Sequence, residues 1–264
     1  MKKIYLSVVC LLISIPLIAQ LYVEPEKEVE CSVFLAKEGR GRAQQGLEIW
    51  DDYIFSCEDG GHVNIYDFKS ADPKPVAGFE LASSHPDNHV NNVCFGVETK
   101  RGASFPLLYI TNGKVGSELE WLCFVESITR RGKRFSSEIA QTIELDGSKW
   151  AEKGYVSIFG APCWLVERDR GVIWISSARK RTVAKVTKHA WENQYVATKF
   201  RIPSLSEGAK VRLDENDILD QVVFPYEVWF TQAGCMHDGK IYFCFGVGKQ
   251  DDSSPSCIRV YDSD

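Results

Sequence analysis

The sequence predicts an all-β protein, and within that class a β-propeller with four recognisable blades. Period-two alternation of apolar and polar residues dominates the chain, and long helical periodicity is scarce. A motif near the start of the chain also returns near its end. Repetition at long spacing indicates a repeat architecture, in which each unit covers the apolar face of its neighbour.

The returning motif combines a Gln-rich strand start with glycine, an Asp-containing turn and a strand that ends in Tyr-Asp. Its first copy comprises residues 45–47, 52–55 and 63–67. Its second copy comprises residues 232–234, 238–243 and 258–262. A β-sandwich is the competing architecture, but it has no reason to repeat this motif at its two ends.

Each predicted unit contains three or four short strands, separated by turns such as Asp59-Gly60-Gly61 and Asp238-Gly239. The first unit is predicted at 45–49, 53–57, 63–68 and 76–81. The second unit is predicted at 90–96, 107–111, 121–128 and 139–145. The third unit is predicted at 156–159 or 163–168, then 172–176, 183–188 and 195–202. The fourth unit is predicted at 229–236, 240–246 and 257–262, and the acidic connector 205–220 is expected to form a short helix.

The fourth unit stops at Asp264, directly after its third strand. A propeller closes its ring by pairing the first and last strands of the chain. Residues 31–36 are therefore expected to supply the missing outer strand. The alternative is a truncated form of a five- or six-bladed ring.

Residues 1–19 are predicted to be a secretory signal peptide, and residues 20–264 the propeller domain. Lys2 and Lys3 precede an apolar run that ends at Ala19. The run is shorter than the ~20 residues of a spanning helix, which argues against an uncleaved anchor. We expect an exported protein, periplasmic or extracellular, that has no stable membrane insertion once the leader is removed.

The charge balance argues against nucleic acid as a partner. The net charge is −5, whereas a nucleic-acid-binding protein usually carries a basic stripe. The compact basic clusters, at residues 130–134 and 179–181, both fall where turns are expected. They are predicted to be solvated hairpin tips.

Most cysteines are predicted to be buried thiols, with at most one disulfide. Cys57, Cys94, Cys123 and Cys244 lie in apolar strand runs, where a thiol packs as a small apolar side chain. The sequence contains no C-x-x-C motif. We therefore predict no metal site and no cofactor.

The candidate ligand site follows from the architecture, because the first strand of each blade lines the central channel. Polar residues from three different units begin these strands. They are Arg42, Gln44, Gln45, His89, Asn91, Asn92, Thr231 and Gln232. Amides offer both donors and acceptors, which suits a neutral polar ligand. The alternative is that these side chains only satisfy backbone groups inside a narrow channel.

The segments Gln45-Gly46-Leu47-Glu48 and Thr231-Gln232-Ala233-Gly234 resemble the blade starts of secreted propellers of the NHL/TolB-like and glutamine cyclotransferase types. The sequence lacks the Glu-Gly-Glu-x-x-Ala-Asn type of segment that cyclotransferases carry. Residues 89–96 and 105–110 resemble a segment of exported bacterial propellers whose function is unassigned. The resemblance therefore implies the fold rather than a reaction.

The function predicted from the sequence is a monomeric binding module for a small polar ligand, a glycan or a peptide. The alternatives are an enzyme of the cyclotransferase, lyase or hydrolase type that uses the same channel, and a protein-interaction scaffold. An acidic residue and a histidine within hydrogen-bond reach across the channel would favour the enzyme. An exposed apolar patch with a polar rim would favour the scaffold.

Overall fold

The computed structural model describes residues 21–22, 43–72, 74–178, 195–224, 231–245 and 257–263. Within these ranges the regular structure is almost entirely β-strand, and helical structure is limited to single 3-10 turns at Trp150–Lys153, Arg168–Arg170 and Leu205–Glu207. None of the helical segments among these residues is long and apolar enough to cross a membrane. The prediction of an all-β protein is confirmed.

Strand β1 (Leu21–Tyr22) is followed by two blades in which strands adjacent along the chain pair antiparallel. Blade 1 consists of β2 (Gln44–Trp50), β3 (Tyr53–Glu58), β4 (His62–Asp67) and β5 (Ala77–Glu80). Blade 2 consists of β6 (Asn92–Phe95), β7 (Leu108–Thr111), β8 (Leu122–Arg131) and β9 (Arg134–Leu145).

Blades 3 and 4 do not follow the simple chain order: a strand within the blade 3 segment pairs with blade 2, and blade 4 takes its outer strand from the start of the chain. Blade 3 consists of β10 (Phe159–Glu167), β11 (Val172–Ala178), β12 (Tyr195–Arg201) and β14 (Ile218–Phe224). Between the last two, β13 (Lys210–Leu213) leaves blade 3 and pairs parallel with β9 at the outer edge of blade 2. Blade 4 consists of β15 (Thr231–His237), β16 (Lys240–Phe245) and β17 (Cys257–Asp262), with β1 antiparallel to β17 as its outer strand.

The first strands of the four blades surround one axis. β6 contacts β2, β10 and β15, and β10 also contacts β15. Strands from different sheets meet in this way when the sheets are arranged radially, because each sheet then presents only its first strand to the centre. The four sheets therefore form a propeller ring, and the sandwich alternative is excluded.

An apolar cluster fills each of three spaces between adjacent blades. Between blades 1 and 2, the ring of Phe55 lies edge-on to Phe95 and Phe105, at centroid distances of 5.0 and 5.2 Å. Trp150 is fully buried between blades 2 and 3, and Trp174 between blades 3 and 4. Burial of each large apolar side chain contributes about 1.5–3 kcal/mol, so these contacts hold the blades together.

The predicted strands of the first, second and fourth units are confirmed, but the third unit and its connector differ. Tyr195–Arg201 is the third strand of blade 3 rather than the fourth, and residues 183–188 lie outside the described residues. The short helix expected over 205–220 is wrong: a single 3-10 turn at Leu205–Glu207 precedes β13 and β14. The physical reason is the open edge of β9, which pairs with β13 and buries Leu213.

Two further expectations need correction. The outer strand of blade 4 is Leu21–Tyr22 rather than residues 31–36, which lie outside the described ranges. Cys57, Cys94 and Cys123 are buried free thiols, as predicted, but Cys244 is exposed. Cys244 follows the buried Phe243 in β16 and therefore points to the opposite face of the strand. The side chains of Cys31 and Cys257 are not among those described, so the single disulfide stays a prediction.

Candidate ligand site at the channel mouth

The candidate site lies at the end of the channel where β2, β6 and β15 begin, which we call the upper mouth. Three segments distant in sequence meet there. Gly46 lies against Val90 and Asn92, and Gly234 N donates to Asn92 Oδ1 at 3.4 Å. The propeller thus brings together the segments that carry the predicted ligand residues. Arg42 and the side chains of Thr231 and Gln232 lie outside the described residues.

The loop that precedes β6 is held on blade 1 by backbone hydrogen bonds. Gly60 N donates to Asn88 O at 2.8 Å, and His85 N donates to Gly60 O at 3.1 Å. Asn88 is itself buried, and its Nδ2 donates to Ser83 O at 3.0 Å. The loop therefore places His89, the next residue, in a defined position.

Val90 has an unusual backbone conformation, with φ at 44°. A β-branched residue rarely adopts positive φ, and such strain costs about 1–3 kcal/mol. Gly46 lies beside Val90, and a side chain at position 46 would clash, since its Cβ would come within 2.8 Å of the Val90 carbonyl oxygen. The glycine of the Gln-rich strand start thus permits the close approach of blades 1 and 2. Strained residues of this kind concentrate at functional sites.

His89 is held by a carboxylate from the neighbouring blade. Its Nδ1 lies 2.8 Å from Asp59 Oδ1, and its backbone N donates to Asn112 Oδ1 at 3.1 Å. The His89 side chain is 35% exposed. Within the described part of the chain, Nε2 has no hydrogen-bond partner. Asp59 thus orients the ring and leaves one nitrogen available at the surface.

Asn91 carries a buried acceptor that the protein does not satisfy. Its side chain packs so closely on Gly113 that a Cβ there would lie 2.3 Å from Asn91 Cγ. Among the described residues, Oδ1 is buried without a hydrogen-bond partner. An unpaired buried acceptor costs about 1–3 kcal/mol. An N–H or O–H group that reached Oδ1 would recover this free energy.

Asn92, in contrast, is fully engaged by the protein. It is 3% exposed, its Nδ2 donates to Trp164 O at 3.0 Å, and its Oδ1 accepts from Gly234 N. This residue fits the alternative in which channel amides satisfy backbone groups. Gln44 is exposed and Gln45 is half-buried, and neither side chain has a hydrogen-bond partner in the ranges that the structure covers.

The opposite end of the channel is occupied by contacts between blades. The Glu48 carboxylate accepts from Ile49 N at 2.9 Å and from Phe95 N at 3.1 Å. Burial raises the pKa of Glu48, and the two N–H groups and the Arg168 guanidinium act against that shift. Arg168 Cζ lies 5.1 Å from the ring centre of Trp50. The Glu48 carboxylate at this end is therefore engaged by the protein.

The upper mouth offers hydrogen-bonding groups and one imidazole. No three His, Cys, Asp or Glu side chains in the described ranges lie close enough together to hold a metal ion. Burial raises the pKa of the Cys94 thiol to about 12, so this channel thiol is not a thiolate near neutral pH. The arrangement suits hydrogen-bond recognition or proton transfer by His89.

The sequence reasoning missed Asp59, Val90 and Asn112. Asp59-Gly60 was identified only as a turn, which is correct, but the Asp59 carboxylate also contacts the His89 ring. Asn112 Oδ1 accepts a hydrogen bond from His89 N. An aspartate or asparagine in a turn at the channel end of a blade is a signal that could have found them. Positive φ at Val90 has no sequence signal, because it arises from packing between two blades.

No protein-family model matches the sequence, and no curated protein matches it. The following are three of the solved structures that are similar to the chain. The computationally designed Ika4 protein has a TM-score of 0.37 at 10% identity, over 87% of this chain and 97% of that chain. The computationally designed Ika8 protein has a TM-score of 0.32 at 8% identity, over 87% and 73%. A member of the duf4221 family from Bacteroides vulgatus has a TM-score of 0.36 at 11% identity, over 87% and 67%. At these TM-scores the likenesses carry no argument about function, and the propeller assignment depends on the strand pairing.

Proposed function

We propose that this protein is an exported β-propeller that binds a small polar ligand, a glycan or a short peptide, at the upper mouth. The supporting observation is the state of His89. Asp59 holds its Nδ1 at 2.8 Å, Nε2 has no protein partner among the described residues, and the strained Val90 follows it. An imidazole fixed in this way is prepared to bond a ligand without a further loss of side-chain freedom.

The neighbouring groups define the chemistry of the ligand. Gln45 contributes a half-buried amide with both donor and acceptor, and His89 contributes Nε2. Sugar hydroxyls and peptide groups complement such a set, since each can both donate and accept. The proposed protein acts as a monomer and needs no cofactor for this role.

The test is a thermal-shift screen of the chain without its leader against monosaccharides, oligosaccharides and short peptides, followed by calorimetric titration of each hit. A ligand that binds the folded state raises the melting temperature. His89→Ala and Gln45→Ala should each weaken binding about tenfold, because each removes a hydrogen bond of about 1–1.5 kcal/mol.

His237→Ala is the matched control, because His237 is the exposed last residue of β15, directly before the turn to β16. Its affinity should equal that of the wild type. Equal losses in His237→Ala and His89→Ala would contradict the proposed site. The absence of any hit in the screen would contradict the binding role.

The Asp59–His89 pair favours one second candidate, an enzyme of the lyase or hydrolase type. Asp59 would hold the ring, and Nε2 would act as the general base at the mouth. The test is turnover of each ligand found in the screen, with products followed by mass spectrometry. If Asp59→Asn reduces turnover but still binds the ligand, the enzyme is supported. If the wild type binds the ligand without turning it over, the binding module is supported.

Export and the finer family likeness are also proposals. Lys2, Lys3 and the apolar run that follows support a cleaved leader and a periplasmic or extracellular location. Expression of the full chain in a bacterium, followed by fractionation and N-terminal mass analysis, tests this. Recovery of the uncleaved chain from the cytoplasm would contradict it. The likeness to NHL/TolB-like or glutamine cyclotransferase propellers has only the short blade-start motifs in its support.

A further inference from the structure

The basic cluster at residues 130–134 forms the tip of the β8–β9 hairpin, as predicted, but its side chains divide between two faces. Arg130 pairs with Phe135, and Arg131 pairs with Arg134. Residues directly opposite in a hairpin share a face, and adjacent residues point to opposite faces. Arg130 and Phe135 therefore face blade 1, while Arg134 points the other way.

Arg130 is fixed against aromatic rings. Its Cζ lies 4.8 Å from the ring centre of Tyr53 in blade 1 and 5.9 Å from that of Phe135. Its Nε donates to Gly132 O at 2.9 Å. In the part of the chain that the structure describes, no acidic side chain pairs with this guanidinium. The terminal N–H groups are therefore held in place and available to another molecule.

Two cavities adjoin this arginine on the outside of blades 1 and 2. One has a volume of about 390 Å³ and is lined by Asp51, Tyr53, Ser104, Phe105, Arg130 and Gly132. The other has a volume of about 200 Å³, and its lining adds Asp67, Val76 and Lys133 to Tyr53, Arg130 and Phe135. Together they provide room for a molecule the size of a monosaccharide.

The charges of the smaller cavity favour an anion. Arg130 and Lys133 are both cationic and exposed, and neither forms an ion pair within the described residues. Two cations therefore face one carboxylate in this lining, Asp67, whose Oδ1 accepts a hydrogen bond from Lys69 N at 2.9 Å. Val76, which is 45% exposed, offers an apolar wall. We infer that this cleft binds a small oxyanion, a carboxylate or phosphate on a sugar-sized molecule, at a site separate from the upper mouth.

Arginine suits this role because its planar fork bonds carboxylate and phosphate through two N–H groups at once. Stacking on Tyr53 and the bond from Nε to Gly132 O restrict the rotation of the fork. The ligand would thus meet a guanidinium that is already oriented. Lys133 adds a second cation at the turn, and the Asp51 side of the larger cavity would accept hydroxyl groups of the same molecule.

The experiment is calorimetric titration of the chain without its leader with three probes: glucuronate, inorganic phosphate and glucose. Glucose has the size and ring of glucuronate but lacks the carboxylate. Glucuronate or phosphate should bind in a way that Arg130→Met weakens. Any heat from glucose should be the same in the wild type and in Arg130→Met, because glucose has no carboxylate for this cleft. Binding of glucuronate alone identifies a sugar carboxylate as the source of the oxyanion, and binding of phosphate alone identifies free phosphate.

Arg130→Met and Arg134→Met are matched variants, since both remove one charge from the same hairpin tip. Arg130→Met should weaken oxyanion binding about tenfold or more, and Arg134→Met less than about twofold. His89→Ala should leave this binding unchanged, which separates the cleft from the upper mouth. Equal losses in the two arginine variants, or failure of both anions to bind the wild type, would overturn the inference.

Discussion

Asn92 Nδ2 donates to the carbonyl oxygen of Trp164 at 3.0 Å, and so joins the first strand of blade 2 to the first strand of blade 3. The oxygen of the same amide accepts from Gly234 N in blade 4. One buried side chain therefore links three blades at the axis. The sequence offered this residue as a ligand contact, but its hydrogen bonds go to the protein.

Asn92→Ala is expected to destabilise the fold by about 2–3 kcal/mol, because it removes the amide that bonds the buried Trp164 carbonyl and the buried Gly234 N–H. Gln44→Ala, at an exposed amide of β2, should change stability by less than about 0.5 kcal/mol. Urea denaturation measures both variants. An Asn92→Ala protein as stable as Gln44→Ala would show that the axial amide does not hold the blades.

Glu126 fastens the loop that leads to the candidate site. It is fully buried, and its two carboxylate oxygens accept from Ala82 N at 2.9 Å and Ser83 N at 2.8 Å. Glu126→Gln replaces one acceptor with a donor that faces an N–H group. We expect a loss of about 2–3 kcal/mol in stability and faster hydrogen exchange over residues 82–91.

Glu138→Gln is the control for this change. Glu138 is exposed and pairs with Lys100 at 2.9 Å on the surface of the same blade. Surface pairs contribute less than about 1 kcal/mol, so its hydrogen exchange should match the wild type. Unchanged exchange over residues 82–91 in Glu126→Gln would refute the role of Glu126.

The cysteines are expected to differ strongly in reactivity. Cys57, Cys123 and Cys163 are buried, and burial raises the pKa of each thiol well above its ordinary value. A raised pKa lowers the thiolate fraction near neutral pH, and burial also blocks access of the reagent. Cys235 is exposed.

Partial burial also raises the pKa of the Cys235 thiol, but the reagent can reach it. Iodoacetamide labelling at about pH 8, mapped by mass spectrometry, should therefore modify Cys235 before the three buried thiols. The three buried thiols should react only after unfolding in urea, which serves as the positive control. Labelling of Cys57 in the folded protein at the rate of Cys235 would contradict the buried position of β3.

Glu207 should titrate far below an ordinary glutamate. Arg201 binds both of its oxygens, at 2.7 and 2.9 Å, and Ser204 N donates to Oε1 at 2.7 Å. These contacts lower the pKa of Glu207 to about 2. Because the folded-state pKa is depressed, the contribution to stability is present above the ordinary value near 4.5 and is lost as pH falls from there through about 2.

Carbon-detected NMR titration of the Glu207 carboxyl measures this pKa directly. Arg201→Met should move the midpoint upward, toward the ordinary value, because it removes the largest cause of the shift. A wild-type midpoint near 4.5 would show that the Arg201–Glu207 pair does not persist in solution.

Much of the fold could be predicted from local sequence patterns. Alternation along β3 and β4 predicted both strands, because the side-chain period of a strand is visible in any short window. The same logic failed for Lys210–Leu213, where an acidic connector instead supplies a strand to another blade. That outcome depends on the free edge of β9, which no window around residue 210 contains.

The candidate site was likewise predictable from the sequence only in part. Gln45 and Asn92 lie at the starts of the first strands of blades 1 and 2, as predicted, whereas His89 lies in the loop before β6. The different chemical states of His89 and Asn92 were not predictable, since Asp59 and Trp164 reach them from other blades. The ligand residues as a set stay a prediction.

By itself the sequence determined the strands, the blade repeat and the polar character of the strand starts, because these follow from the order of side chains along a few neighbouring residues. Only the tertiary structure decided that Asp59 meets His89, that Asn92 spans the axis and that Arg130 lies on Tyr53. These pairs join separate loops and blades, and their distances depend on how the sheets pack around the ring rather than on any local preference of the chain.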